Sequence, residues 1–340
     1  MFAARPKGGS KTMFLAIDAG GTTVRAVALD AHGRTHGHGR AGGGNPTAVG
    51  IPSAVASIAQ AVEQALTGLD LPATGPCSGV ITMAGERSPA YLAQLSARLS
   101  PLGVVGIDLM PDLLGIFHSG THQQDGYALI AGTGSVAARV REGQLDRVVG
   151  GRGWLLGDAG SGFWIGHRVA QAVTADLDGQ GPHTALTALV LTAVAVAPPQ
   201  SPADRARVAA EFVSRVYASP PVRLADLAPL AFRAFQDPVA QDILVAASAA
   251  LAGLLSVVQV AQLAGPVVVG GSVLVRGLLG GPDELRAVLV PLMVDAPVIR
   301  VSDGVVGAAV LALRAGGIDV DAALFSTLRH QVSSMSRSVG

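Results

Sequence analysis

Two short segments of this sequence place glycines beside hydroxyl side chains in a tight turn. They are AGGTT at residues 19–23, directly after Asp18, and AGTGS at residues 131–135. Glycines let backbone N–H groups face an anion without a side chain in the way, and threonine hydroxyls add further donors. A carboxylate at Asp18 would repel a phosphate unless it held Mg²⁺ directly or through water. A Gly-Thr turn alone is usually only a turn, but two in matching contexts predict a polyphosphate site.

Asp112 is the candidate for acid–base chemistry. In DLMPDLLG it follows a predicted strand and stands at the start of a predicted helix. An aspartate in that place commonly caps the helix. A carboxylate at the end of a strand can fix a helix and also face a cleft, so the structural and the catalytic roles are compatible.

Two glycine-rich segments could bring the backbone close to a ligand. The first, GGRGWLLGDAGSGFWIG at residues 150–166, carries Trp154 and Asp158 between its glycines and then becomes helical. Such a density of glycines argues for a backbone that passes near another group. The second, PVVVGGSVLVRG at residues 266–277, is a strand, a Gly-Gly turn and a helix start at Ser272. A nucleotide base or ribose could rest there, and a plain strand-to-helix turn explains the segment equally well.

Histidine and cysteine residues give no indication of a metal centre. His36 and His38 lie two residues apart on a predicted strand and share a face, but no third ligand is apparent, so an exposed strand face is favoured. Cys77 is the single cysteine of the chain. It excludes an intramolecular disulfide, a four-cysteine zinc site and a cysteine-ligated iron–sulfur cluster built from one chain. A reducing cytoplasm fits this cysteine content.

The candidate residues are carried by a pattern of strands and helices that occurs twice. Residues 14–18, 24–29 and 35–40 read as a β-meander, and the alternation of helices and strands that follows predicts a parallel sheet. The pattern restarts at Tyr127, 113 residues after Phe14, and ends with a helix beginning near residue 305. Two α/β domains facing each other would leave a cleft between their Gly-Thr turns.

Composition limits the classes of function. With 340 residues, of which 49% are hydrophobic and 14% charged, the chain can bury a large core, and its length favours two domains. A formal net charge of +0 provides no global field for nucleic acid or an anionic membrane. The opening MFAARPKGGSKT lacks a signal-peptide core and is interpreted as a basic tail. Residues 243–265 have the length of a membrane span, but their serines and glutamines and the absence of flanking positive charge favour a buried core or interface helix.

Four segments together resemble a known superfamily. AIDAGGTTVRAVALD, ALIAGTGSVA, GGRGWLLGDAGSGFWIG and VVVGGSV are similar, in this order, to the phosphate-1, phosphate-2 and adenosine segments of the sugar kinase, Hsp70 and actin superfamily. GRGWLLGDAGSGFWIG looks most like the N-acetylglucosamine kinase and BadF/BadG/BcrA/BcrD-type ATPase branch. The resemblance implies an α/β protein with two actin-like, ribonuclease H-like domains and an inter-domain cleft, each domain a mixed sheet (β-meander plus parallel strands) flanked by helices. The domains would be residues 13–121 and, with a helical insertion, 122–317, and a helix at about 318–335 would pack back on the first.

The resemblance also implies roles for individual residues. Asp112 would be the general base that takes the proton from a sugar 6-hydroxyl, and Asp18 would lie by the Mg²⁺ that accompanies ATP. Sugar contacts would come from Asn45, Asp112, Ser135, Gly151, Gly153 and Asp158. Nucleotide contacts would come from Gly20, Gly21, Thr22, Thr23, Gly132, Thr133, Gly134, Gly270, Gly271 and Ser272.

The implied function is ATP- and Mg²⁺-dependent phosphorylation of an amino sugar, with N-acetylglucosamine as the first candidate, by a cytoplasmic homodimer without nucleic-acid or membrane partners. Arg152 stands where the animal N-acetylglucosamine kinases have an aromatic residue, so glucosamine, N-acetylmuramic acid and glucose stay open as substrates. A BadF-type ATPase or a sugar sensor without sugar phosphorylation is a further alternative. The related redox activators share a cysteine-ligated cluster between subunits, and the lone Cys77 argues against that function.

Overall fold

Ten strands of the described chain form two sheets of five strands each. The computed structural model describes residues 12–69, 77–85, 88–293 and 296–337. In chain order the strands are β1 (Met13–Ala19), β2 (Val24–Asp30), β3 (Thr35–Ala41), β4 (Cys77–Met83), β5 (Val104–Pro111), β6 (Gly126–Ala131), β7 (Ser135–Arg141), β8 (Gln144–Gly150), β9 (Val267–Gly270) and β10 (Val298–Arg300). The sheet orders are β3-β2-β1-β4-β5 and β8-β7-β6-β9-β10, so both sheets have one topology. The predicted fold class, two actin-like α/β domains, is confirmed.

The first sheet is built around β1, which is apolar along most of its length and almost entirely buried. A strand buried on both faces belongs in the centre of a sheet covered by helices. On one side β1 pairs with β2 and β2 with β3, both antiparallel, which is the predicted meander. On the other side β4 and β5 follow in parallel. The carboxyl ends of three neighbouring strands, β1, β4 and β5, therefore meet at one edge.

Helices cover both sheets. They are α1 (Pro46–Val49), α2 (Ile51–Leu66), α3 (Pro89–Leu99), α4 (Asp112–Gly120), α5 (Gly162–Leu177), α6 (Ala185–Ala193), α7 (Arg205–Tyr217), α8 (Ala228–Arg233), α9 (Pro238–Val258), α10 (Asp283–Arg286), α11 (Val305–Ala315) and α12 (Ala322–Arg337), with a π-helix at Val273–Leu278. Several begin at a side chain that accepts a backbone N–H of the first turn, as Ser88 does for α3 and Ser161 for α5. These caps fix the residues at which the two helices begin.

The chain divides into two compact units that do not follow the predicted boundary. The first contains the described residues up to Gln124, residues Val140–Gln144 and the residues from Asp303 onward; the second contains Asp125–Arg139 and Leu145–Ser302. The resemblance implies a second domain that extends to residue 317. The difference arises because α11, whose apolar side chains are almost all buried, packs on β1 and α4. The predicted terminal helix is α12, which also belongs to the first unit.

One helix of the described chain, α9, is long and apolar enough to cross a membrane by length and composition alone. One face of it is buried in the hydrophobic core of the second unit, where Leu244, Leu251 and Leu255 have no exposed surface. Its first turn is capped by Asp237, whose Oδ1 accepts two backbone N–H groups. This packing agrees with the expected core helix. The predicted basic tail lies outside the described residues except for Thr12.

Candidate active site

Asp18 lies next to the carboxyl end of β1, and a donor faces each of its oxygens. The backbone N–H of Gly304 donates to Oδ2 at 3.0 Å, and the Thr82 hydroxyl lies 3.4 Å from Oδ1. Burial raises the pKa of Asp18 to about 6; the bond from Gly304 works against this, whereas the negative charges of Asp303 and Asp112 add to it. Because burial disfavours the charged form of this carboxylate in the free protein, a bound cation would stabilise it.

The first Gly-Thr loop is packed against the segment that carries Asn45. Gly44 N donates to Gly20 O at 2.9 Å, and a Cβ at Gly43 would lie 2.4 Å from Gly21 O, so only glycine allows this approach. Asn45 then caps α1, its Oδ1 accepting a backbone N–H at 2.9 Å. The structure therefore brings Asn45 beside the loop. Of the other loop candidates, Gly21 and Thr22 are exposed and Gly20 and Thr23 are half-buried.

Asp112 is the first residue of α4 and follows β5 directly. The strand registers pair Asp18 with Thr82, and Met83 with Pro111, the residue before Asp112. Pro111 takes the N-cap position, and Oδ1 of Asp112 accepts the N–H of the next residue at 2.9 Å. Asp112 is half-buried. At one edge of the first sheet, Asp18 thus lies on β1, Thr82 on the neighbouring β4, and Asp112 directly after β5.

In the second unit, the loop at residues 131–135 is enclosed by two other glycine segments. A Cβ at Gly271, whose φ is +86°, would lie 2.3 Å from Ala131 O. A Cβ at Gly162 would lie 3.0 Å from Gly132 O, and Gly162 N donates to that oxygen at 2.7 Å. The second Gly-Thr loop, the start of α5 and the Gly-Gly turn after β9 therefore meet, as the predicted nucleotide site requires. Thr133 is exposed there.

Asp158 is buried beside this loop with one oxygen lacking a donor. Its backbone has a φ of +58°, which is rare outside glycine. Burial raises the pKa of Asp158, while backbone N–H groups of Ser135 and Gly153 bond to the carboxylate and lower it. No hydrogen-bond donor among the residues that the structure describes reaches Oδ1. A buried carboxylate oxygen without a donor is costly, and a hydroxyl of a bound ligand would satisfy it.

The remaining predicted sugar contacts lie around Asp158. Gly134, which was predicted as a nucleotide contact, also lies there and has no room for a side chain, because a Cβ would lie 2.8 Å from Oδ2 of Asp158. The Ser135 hydroxyl is buried and donates to Ala159 O at 2.8 Å, so it holds the Asp158 segment in place. Gly151 and Gly153 are exposed, with φ of +64° and +80°. Trp154, Leu155 and Leu156 follow in an exposed stretch.

The second unit also has a cavity of about 520 Å³ that includes the predicted nucleotide residues Gly132, Thr133 and Ser272. Sequence reasoning missed several of its other lining residues, among them Asp226, Pro229, Phe232 and Arg276. The ring of Phe232 packs on Gly277, where a Cβ would lie 2.5 Å from Cζ. No local signal pointed to Phe232, because its partner lies far along the chain.

Histidine, cysteine and acidic residues form no group of three or more that could hold a metal ion within the described ranges. His36 and His38 are exposed as expected, and His36 Nε2 lies 3.0 Å from Asp30 Oδ2. Cys77 is buried, and burial raises its pKa to about 12, so the thiol is unreactive. Asp18 is compatible with Mg²⁺, which protein sites hold through one or two carboxylates, with waters and substrate phosphates supplying the other ligands.

This chain is similar to known proteins along most of its length. The model of the BadF/BadG/BcrA/BcrD ATPase family matches residues 15–312. An N-acetyl-D-glucosamine kinase of Dictyostelium discoideum is 29% identical over 328 residues, which are 89% of this chain and 98% of that protein. A glucosamine kinase of Vibrio cholerae is 32% identical over 182 residues, 52% of this chain and 60% of the relative. A Chromobacterium violaceum structure, of a protein assigned as an N-acetylglucosamine kinase, superposes with a TM-score of 0.67 at 24% identity and covers 88% of this chain and 98% of that one.

Proposed function

Because this chain belongs to the BadF/BadG/BcrA/BcrD ATPase family, we propose that it transfers the γ-phosphoryl group of ATP to the 6-hydroxyl of an amino sugar, with N-acetylglucosamine as the first candidate. The observation that carries the proposal is the buried Oδ1 of Asp158, which lacks a donor beside the second Gly-Thr loop. A sugar hydroxyl is a neutral donor of suitable size for that oxygen. The relatives named for N-acetylglucosamine and glucosamine support the same substrate class.

ATP would bind through the two Gly-Thr loops and the cavity of the second unit. The cavity of about 520 Å³ lies within the range of small-molecule sites. The ring of Phe232 offers an apolar surface for the base, and Ser272 and Arg276 offer donors for the ribose and phosphates. Exposed Thr22 and Thr133 would add hydroxyl donors to the phosphate oxygens.

Asp112 would act as the general base. It would accept the proton of the sugar 6-hydroxyl while that oxygen attacks the γ-phosphorus and the bond to the β-phosphate oxygen breaks. Asp18 would hold Mg²⁺, which when bound offsets the negative charge of the phosphates. Asn45 and Asp158 would orient the sugar, so that binding of the correct sugar precedes fast turnover.

A panel of sugars tests the proposal. Glucosamine, N-acetylglucosamine, N-acetylmuramic acid and glucose are each incubated with ATP and Mg²⁺, and ADP release is followed in a coupled assay. We expect slow hydrolysis without sugar and many-fold acceleration by an amino sugar. Rapid sugar-independent hydrolysis would favour the ATPase function, and sugar binding without ADP release would favour the sensor.

A matched pair of variants tests the role of Asp158. Asp158→Asn should raise the KM for the sugar more than the KM for ATP, because an amide presents one oxygen where the carboxylate presents two. Asp178→Asn, which changes an exposed aspartate of the same unit, is the control and should change neither KM. Equal changes in the two constants for Asp158→Asn would contradict its assignment to the sugar.

Location and assembly belong to the same proposal. We place the enzyme in the cytoplasm, a reducing compartment in keeping with the unpaired and buried Cys77. A homodimer is the expected assembly from the resemblance to sugar kinases. Light scattering over a range of protein concentrations tests this, and a mass of one chain at all of them would contradict it.

A further inference from the structure

Thr82 lies near the carboxyl end of β4 and has no exposed surface. Its hydroxyl is 3.4 Å from Oδ1 of Asp18 and 3.3 Å from the carbonyl oxygen of Ile17. A threonine hydroxyl has one proton to donate, and an ionised carboxylate is the stronger acceptor of the two. The hydroxyl of Thr82 is therefore placed to bond to Asp18 whenever that side chain is charged.

The other side of Thr82 contacts the helix that begins at Asp112. A Cβ added at Gly115 would lie 2.8 Å from Oγ1 of Thr82 and 2.9 Å from its Cγ2. Gly115 is three residues after Asp112, about one helical turn. The backbone of α4 is therefore seated directly on the Thr82 side chain, and the bulk of that side chain sets how closely the helix approaches β4.

We propose that Thr82 is a positioning residue that fixes Asp18 through its hydroxyl and the start of α4, with Asp112, through its methyl group. This inference rests on the proposed function, in which Asp18 holds Mg²⁺ and Asp112 is the base. Gly304 N already holds Oδ2 of Asp18, so the Thr82 hydroxyl completes a pair of donors that fixes the carboxylate plane. The chemistry needs both carboxylates at set places, and a misplacement of about 1 Å can cost roughly 10²-fold in rate.

Substitutions at residue 82 separate the two contacts. Thr82→Val keeps the volume and the β-branched shape in a fully buried strand but removes the hydroxyl. Thr82→Ser keeps the hydroxyl but removes the methyl group under α4. The control is Thr121→Val, which removes a buried threonine hydroxyl of the same unit beyond the far end of α4.

Kinetic assays give, for each variant, kcat, the sugar KM and the Mg²⁺ concentration for half-maximal rate. The affinity for Mn²⁺ in the presence of ADP is measured separately, from the electron paramagnetic resonance signal of free Mn²⁺. We expect Thr82→Val to weaken Mn²⁺ binding and raise the Mg²⁺ requirement about threefold, because a separation of 3.4 Å between Thr82 Oγ1 and Asp18 Oδ1 is a long hydrogen bond, at the low end of the usual contribution. Its sugar KM and melting temperature should stay close to wild type. Thr82→Ser should bind Mn²⁺ normally but lower kcat several-fold, and Thr121→Val should behave as wild type.

Normal Mn²⁺ affinity in a folded Thr82→Val variant would overturn the proposal. An equal loss of Mn²⁺ affinity in Thr82→Val and Thr82→Ser would also overturn it, because serine keeps the hydroxyl and the hydroxyl would then contribute nothing to metal binding. The Mn²⁺ measurement needs no sugar and no turnover. If no sugar accelerates ADP release in wild type, the kinase function fails while the role of Thr82 toward Asp18 is still decided by the metal affinity.

Discussion

Replacing Asp18 by asparagine is expected to stabilise the ligand-free protein at neutral pH, although it should impair Mg²⁺-dependent turnover. The folded protein raises the pKa of this carboxyl group from 3.8 to about 6, chiefly through burial. A folded pKa above the unfolded one means that the folded state binds the proton more tightly. The stability that comes from this proton is present below about pH 4 and is lost as pH rises through 6.

The size of the effect follows from the shift. A difference of about two pKa units corresponds to roughly 3 kcal/mol of folding free energy that wild type lacks above pH 6. Asparagine carries no charge and avoids this cost. It has one acceptor oxygen for the two donors at Gly304 and Thr82, and the lost bond costs about 1 kcal/mol. The net gain at pH 8 is therefore about 2 kcal/mol, a rise of roughly 4–8 °C in the melting temperature of the first unit.

The assay is thermal unfolding of wild type and Asp18→Asn at pH 4 and pH 8, without nucleotide or divalent metal. The gain should appear at pH 8 and vanish or reverse at pH 4, where wild type is already protonated. Asp242→Asn, at an exposed aspartate of α9, controls for a general effect of removing negative charge. An equal gain at both pH values, or no gain at pH 8, would refute the argument from the buried charge. Mg²⁺ with ADP should stabilise wild type more than the variant.

Three further outcomes follow from the first unit. Asp112→Asn should lower kcat by ~10²–10⁴ with a melting temperature close to wild type; a variant that keeps most of its kcat would remove Asp112 from the mechanism. Gly307→Ala should destabilise the unit by about 3 kcal/mol, the upper end of the usual cost of overpacking, since its Cβ would lie 1.8 Å from the Gly115 carbonyl oxygen. Denaturant unfolding measures this loss, and an unchanged free energy of unfolding would contradict the packing of α11 on α4. Burial, with the positive charge of Arg314, lowers the pKa of His118 to about 3. The folded protein therefore favours the neutral imidazole, and the stability from this preference is complete above about pH 6.5 and is lost as pH falls toward 3. His118→Gln should make the loss of stability between pH 6.5 and 4 shallower, and identical slopes for variant and wild type would contradict this.

The sequence alone was sufficient for the local features of this protein. Short apolar runs bounded by glycine-containing turns located the strands, and glycines beside threonine located both loops, because strands and turns leave signals within a few residues. The repeated pattern of strands and helices predicted two domains with the same topology, and the order of the strands is the same in the two sheets. Asp18 and Asp112 stood out because Asp18 lies at the end of a predicted strand and Asp112 directly after one, and strands of a parallel sheet end at one edge.

Contacts between distant residues were decided only by the tertiary structure. Gly304 donates to Asp18 across 286 positions of sequence, and this bond belongs to a helix that the sequence assigned to the other domain. Phe232 lines the cavity of the second unit only because its helix packs on the segment at Gly277, and Thr82 contacts α4 only because Gly115 leaves room for it. Burial of such groups depends on which helix covers which strand. The packing of the whole unit determines this, so a local pattern of residues cannot predict it.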